Sequence, residues 1–223
     1  MKKLFLPLPL VLLIFGMVTN DATADDRIIL GSFERLTKES DAPYWGDNVT
    51  TESTMNGFSA KLYWFRDNGL YRGIGLGYVT GDVDVCLESN CSPADTTVSM
   101  FTSEIGLDLG QWIPFVGGTW VSTQAEETHH LFWNSEISLG FYPHSVVDQS
   151  AEPFYLNIGL WRELDTFKVR GALNIWDESE RIGVSGGVLY QMDNEFAVGA
   201  EFEVSLDDEA NRFRFSLQFG RSF

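Results

Sequence analysis

The chain has 223 residues, 44% hydrophobic and 14% aromatic, with 15 basic side chains against 32 acidic ones and a formal net charge of −17. An acidic surface of this kind repels nucleic acid, and no basic cluster marks a polyanion partner. The two cysteines, with no histidine nearby, are too few ligands for a metal centre, and nothing in the sequence calls for a cofactor.

In chain order, the first element is a leader. Lys2 and Lys3 precede an apolar stretch from Leu4 to Val18, and Ala22-Thr23-Ala24 supplies the small-x-small triplet that a signal peptidase cuts. Pro7 and Pro9 fit poorly inside a helix, and the stretch is short of the roughly 20 apolar residues that a spanning helix needs. Residues 1–24 are therefore expected to be a cleaved signal peptide and residues 25–223 a single domain. No cysteine follows the cut, which argues against a lipid anchor.

Beyond the leader, apolar residues recur at every second position, the period of a strand. Segments near 27 to 36, 55 to 65, 71 to 80, 97 to 109, 112 to 123, 131 to 142, 153 to 163, 167 to 176, 181 to 192, 195 to 205 and 212 to 223 carry this signal. Their connections fall into two classes. Arg66-Asp67-Asn68-Gly69 and Met192-Asp193-Asn194 are short turns, whereas others are long, acidic and rich in Ser and Thr. Cys86 and Cys91 lie in one of the polar stretches, where an exported chain meets an oxidising compartment, and are expected to form a disulfide staple. The last segment alternates most cleanly: Phe213, Phe215, Leu217, Phe219 and Phe223 share one face, and Arg212, Arg214, Ser216, Gln218 and Gly220 the other.

Alternation alone does not say which face meets water. Three features favour a membrane barrel, with apolar residues outside and polar ones within, over a soluble barrel or sandwich. The apolar faces are rich in Phe, Trp and Leu, while the opposite faces carry Gly73, Gly75, Gly77, Gly183, Gly187 and Gly199, which suit a narrow lumen. The connections divide into short and long classes, as periplasmic turns and outer loops do. The chain stops on the terminal Phe of an alternating aromatic strand. Eleven segments conflict with the even strand number of bacterial single-chain barrels, and the parity error falls between about Trp112 and Trp176. The expected fold is an all-β, transmembrane, antiparallel up-and-down barrel of about ten strands, with eight and twelve open.

The segment from Gly187 to Phe202, the acidic loop after it, and Arg212 to Phe223 resemble the closing hairpin of small Gram-negative outer-membrane barrels, the OmpA-transmembrane-domain-like group. The resemblance implies a Gram-negative outer-membrane location, contact with membrane lipid and lipopolysaccharide, and a C-terminal signal (Phe213, Phe215, Leu217, Phe219, Phe223) read by the barrel-assembly machinery. Arg221 departs from the lipid-facing register, a position where an Arg near the interface can snorkel to headgroups.

With apolar faces outward, the lumen receives Lys61, Glu104, Asp108, Glu136, Lys168, Arg170, Glu201, Glu203, Arg212 and Arg214. A hairpin centred on Asp208 and Glu209 sets Glu203 opposite Arg214, a favourable cross-strand pair. Buried charges of both signs are expected to pair into a network that plugs the barrel. The rival is a narrow cation-preferring pore fed by acidic loops. Trp45, Trp112, Trp120, Trp133, Trp161 and Trp176, with Tyr44 and Tyr142, read as interfacial girdle or strand-end residues. The histidines give a third reading. His144, near Ser145, Asp148 and Glu152, or His129-His130 after Glu126-Glu127, could serve an outer-membrane hydrolase of lipid A deacylase, phospholipase or omptin type, but no motif of those enzymes is matched. The leading expectation is a non-enzymatic structural or surface-interaction barrel whose acidic loops meet an extracellular partner.

Overall fold

The computed structural model describes residues 25–44, 47–66, 69–87, 90–127, 154–176, 182–206 and 210–223. The predicted leader, Trp45, Glu136, the three histidines and the candidate strand at 131–142 lie outside these residues. Among the described residues ten strands follow one another: β1 (Asp25–Tyr44), β2 (Asp47–Arg66), β3 (Leu70–Leu87), β4 (Asn90–Leu107), β5 (Trp112–Glu127), β6 (Phe154–Leu164), β7 (Phe167–Trp176), β8 (Ile182–Gln191), β9 (Phe196–Ser205) and β10 (Ala210–Ser222). Each pairs antiparallel with its sequence neighbours, and β1 pairs with β10 to close the barrel. The strand count is even because β5 pairs directly with β6, Trp112 opposite Arg162 and Trp120 opposite Phe154.

The register fixes the tilt. A path across the strands leaves β1 at Arg27 and passes Trp64, Arg72, Ile105, Val116, Ile158, Leu173, Val184, Val204 and Phe213. It returns to β1 at Thr37, ten residues above its start. A barrel whose shear equals its strand number tilts its strands by about 36°.

One end of the barrel carries Asp25, Ser222 and the short connections. Leu164 pairs with Phe167 across two residues, of which Asp165 takes a left-handed φ of 46°. In the β4–β5 connection the Asp108 carboxylate accepts the Gly110 N–H at 2.7 Å, and Gly110 adopts φ 91°. The Asn194 side chain accepts the Phe196 N–H at 3.3 Å, so aspartates and asparagines shape these turns.

Many large apolar side chains point away from the barrel. Phe58 is 71% exposed, Leu109 66% and Phe219 62%, whereas Glu34 and Glu203 are only 1% and 2% exposed. This inversion answers the question that alternation left open. From Phe213 to Phe223, eleven residues joined by ten steps of about 3.3 Å at this tilt, the chain rises roughly 27 Å, the height of a hydrocarbon band.

At the other end, β1 to β4 run well past the apolar segments read from the sequence. Thr- and Asp-rich stretches expected to be loops are paired strands, with Glu39 opposite Glu52, Glu52 opposite Asp84, and Asp82 opposite Asp95. They form tall ribbons because a pair of strands needs hydrogen bonds and β-branched residues, not an apolar face, once it leaves the apolar band. Cys86 and Cys91 face each other across the β3–β4 ribbon and are joined, one residue pair short of its end.

Candidate functional site

The lumen is an enclosed space through which the barrel could act on a solute, and among the described residues it is filled in layers. Small residues make this packing feasible. A Cβ added at Gly187 would lie 2.6 Å from Glu201 Cγ, and one at Gly73 would lie 2.9 Å from the Tyr71 hydroxyl. The lumen glycines thus make room for long side chains from neighbouring strands.

Nearest the terminal end, Lys168 reaches back to Glu163 and lies 3.2 Å from Asp26. The Gln191 amide donates to both oxygens of Asp26, at 2.9 and 2.8 Å. The Lys168 ammonium also sits 4.5 Å from the centre of the Phe65 ring, which begins the next layer.

That layer is aromatic. Trp161 packs against Tyr63 and Phe65 with centroid separations of 5.4 and 5.5 Å, and Tyr71 packs on Phe65 and Phe115 at 5.2 and 5.9 Å. Ile28, Leu30, Ile113 and Leu189 complete a wholly buried cluster. The sequence reading put Trp161 in an interfacial girdle or at a strand end. It instead lies in the lumen, 2% exposed, because β6 turns Trp161 inward between the outward-facing Leu160 and Arg162. Trp112 and Trp120 do face outward, and Trp176 packs inside.

Above the aromatic rings lies the charged layer. Arg170 donates to Glu104 and to Ser185 Oγ, while Lys61 pairs with Glu201. Arg214 lies 3.1 Å from Glu203 and Arg212 lies 3.8 Å from the same carboxylate. Glu203 stands opposite Arg214 in the strand register. Two tyrosines stitch this layer to the one below: the Tyr71 hydroxyl donates to Glu104 at 2.7 Å and accepts the Trp161 indole N–H at 3.0 Å, and Tyr63 donates to Glu201 at 3.2 Å. Ser59 donates to Glu34 at 2.5 Å. A polar cavity of about 40 Å³ remains among Glu34, Lys61, Asn157, Arg170 and Asn174, room for a few water molecules. Glu34 Oε2 and Asn174 Nδ2 border it without a protein partner.

The uppermost layer is apolar again, with Leu36, Met55, Val79, Val98, Met100, Val121 and Tyr155 buried and Trp176 against them. Arg212 stacks over the Trp176 ring at 5.8 Å.

Of the residues assigned to one lumen network, the structure brings together Lys61, Glu104, Arg170, Glu201, Glu203, Arg212 and Arg214. It separates Lys168, which belongs to the terminal layer, and Asp108, which shapes a turn. Glu34 and Asp26 were missed, and so was the aromatic layer. Aspartate 26 stood next to the expected cleavage site, and Glu34 interrupts an apolar run, which is the signal that could have found it.

An ion crossing this lumen must leave the charged layer and pass the aromatic one, where desolvation costs several kcal/mol without compensating partners. Among the described residues no group of three metal-ligating side chains converges.

The sequence matches no family model and no curated protein. Solved structures do match. The β domain of the Bordetella autotransporter BrkA aligns at a TM-score of 0.50 and 13% identity over 90% of this chain and 100% of its own. The translocator domain of the autotransporter NalP from Neisseria meningitidis aligns at 0.50 and 10% identity over 96% and 94%. The attachment invasion locus protein Ail of Yersinia pestis aligns at 0.43 and 11% identity over 89% and 99%. At these identities the likeness is one of fold: the chain has the closed, antiparallel architecture of outer-membrane β-barrels.

Proposed function

We propose that this protein is an integral outer-membrane barrel of a Gram-negative bacterium that acts as a sealed, non-enzymatic scaffold, its turns and termini on the periplasmic side and its acidic ribbons outside. The observation that carries this reading is the continuous aromatic layer of Tyr63, Phe65, Tyr71, Phe115 and Trp161 across the lumen, backed by a charged layer in which each carboxylate has a basic or hydroxyl partner. Such a lumen braces the wall and does not conduct. What remains available for interaction is the exterior: membrane lipid and lipopolysaccharide around the apolar band, the assembly machinery at the C-terminal strand during insertion, and an extracellular partner on the ribbons.

The test is reconstitution into planar bilayers after confirming, by a heat-dependent gel shift, that the detergent-extracted protein is a folded barrel. The wild-type protein is expected to be silent. Steady cation-selective conductance would overturn the sealed-lumen reading in favour of the pore. Cleavage of lipid or peptide by the same preparation, abolished by His144→Ala or His129→Ala, would overturn the non-enzymatic one.

A further inference from the structure

The outward charges are sorted by height. Arg27, Arg66, Arg72, Arg162 and Arg221 all lie on the outer face within a few residues of the terminal-end strand limits. Toward the ribbon end, the outer face carries Glu39, Glu52, Asp82, Asp84 and Asp95 against Arg35 among the described residues. Among the described residues no lysine lies on the outer face at this level, since Lys168, at the same height, points into the lumen.

The arginines are also placed against aromatic rings at the edge of the apolar band. Trp64 stands in register between Arg27 and Arg72. The Arg162 guanidinium lies 4.8 Å from the centre of the Trp112 ring, and that of Arg221 lies 5.6 Å from the Phe223 ring. A ring beneath a guanidinium holds its plane and leaves the N–H edge directed to the surroundings, the geometry that grips phosphate oxygens in pairs. Two of the five arginines already stand against a carboxylate, Arg66 opposite Asp25 in the register and Arg221 paired with Glu195. Headgroup contact therefore falls chiefly to Arg72 and Arg162, and the other carboxylates near this level turn elsewhere. Asp26 and Glu163 turn to Lys168, and Asp108 turns to a backbone N–H. Glu195 pairs with Arg221, and Asp165 and Asp193 sit out at the turn tips.

From this we infer that the arginine–aromatic collar is a binding surface for the phosphodiester headgroups of anionic phospholipid in the leaflet nearest the chain termini. The inference rests on the reading of the protein as a membrane-spanning barrel. Charge complementarity selects the occupant: a cationic band directly below an apolar one fits a lipid whose acyl chains cover Phe219 and Leu164 while its phosphate meets the arginines. The acidic ribbon end would repel the same headgroup.

The experiment uses the full mature chain, folded in detergent with equal amounts of phosphatidylglycerol and phosphatidylcholine, and counts retained lipids by native mass spectrometry. Wild-type protein is expected to retain phosphatidylglycerol about fivefold over phosphatidylcholine. Arg72→Gln with Arg162→Gln, both at exposed positions, should bring the ratio close to one. Arg72→Lys with Arg162→Lys should keep part of the preference, since the charge survives without the planar fork. Equal retention of both lipids by the wild type, or an undiminished ratio in the Gln variant, overturns the collar. The heat-dependent gel shift is read in parallel: a chain that shows no shift and binds no lipid overturns the membrane-barrel reading itself, whereas a shifted, folded barrel without selectivity overturns only the collar.

Discussion

Replacing Arg170 by Met tests whether the charged layer holds the barrel together. Arg170 and Glu104 are nearly solvent-free, with 9% and 4% of their side chains exposed, so solvent screening does little to soften the loss. In Arg170→Met the Glu104 carboxylate keeps the Tyr71 hydroxyl but loses its counter-ion, and Ser185 loses its donor. Removing one member of a buried pair costs about 3–5 kcal/mol. Removing both members should be less harmful: Arg170→Met with Glu104→Gln is expected to recover roughly half of that loss, because a neutral amide needs no counter-charge. The assay is reversible urea unfolding in lipid vesicles, followed by tryptophan fluorescence with the gel shift as a second probe. If Arg170→Met unfolds within about 1 kcal/mol of the wild type, or if the double variant loses the full sum of the two single losses, the pair is not the brace inferred from the geometry.

Three further outcomes are expected. Tyr71→Phe removes the hydroxyl that joins Trp161 to Glu104 and should lower stability by about 2 kcal/mol in the same titration; no change would mean that the layers are not coupled through it. Asp165→Gly relieves a left-handed residue in the two-residue β6–β7 turn and should raise stability by about 0.5–1 kcal/mol, and a loss would show that the Asp side chain is itself needed there. Glu52 stands in register between Glu39 and Asp84, so Glu52→Gln should stabilise the ribbon by about 0.5 kcal/mol and slow amide exchange across β2 at low salt, with the difference fading as salt is added.

The apolar outer surface was legible because it obeys one rule. From Phe213 to Phe219 every second residue is apolar and its neighbours are not, so both faces of β10 could be assigned before any pairing was known. Glu203 with Arg214 was equally accessible, since a short hairpin fixes the register of adjacent strands. The aromatic layer escaped because Leu62-Tyr63-Trp64-Phe65 is apolar on both faces, so the alternation that distinguishes lipid from lumen disappears where the plug is built. Pairs such as Lys61 with Glu201 and Arg170 with Glu104 join strands that are not sequence neighbours, and only closure with a particular shear brings them together. The ribbons were read as loops for the opposite reason: Thr50, Thr51, Asp82 and Asp84 carry pairing propensity without an apolar stripe.

The bond between Cys86 and Cys91 changes what can happen to one of the molecule's tall ribbons. A hairpin ordinarily frays from its turn, but here the strands are tied just short of the turn at one end and anchored in the barrel wall at the other. The β3–β4 ribbon therefore has no loose end from which to peel, and a force or a bound partner at its tip is passed down two strands to the wall together. A protease that nicked the turn would leave both halves in place and the fragments covalently joined, so the cut would become visible only after the thiols were reduced.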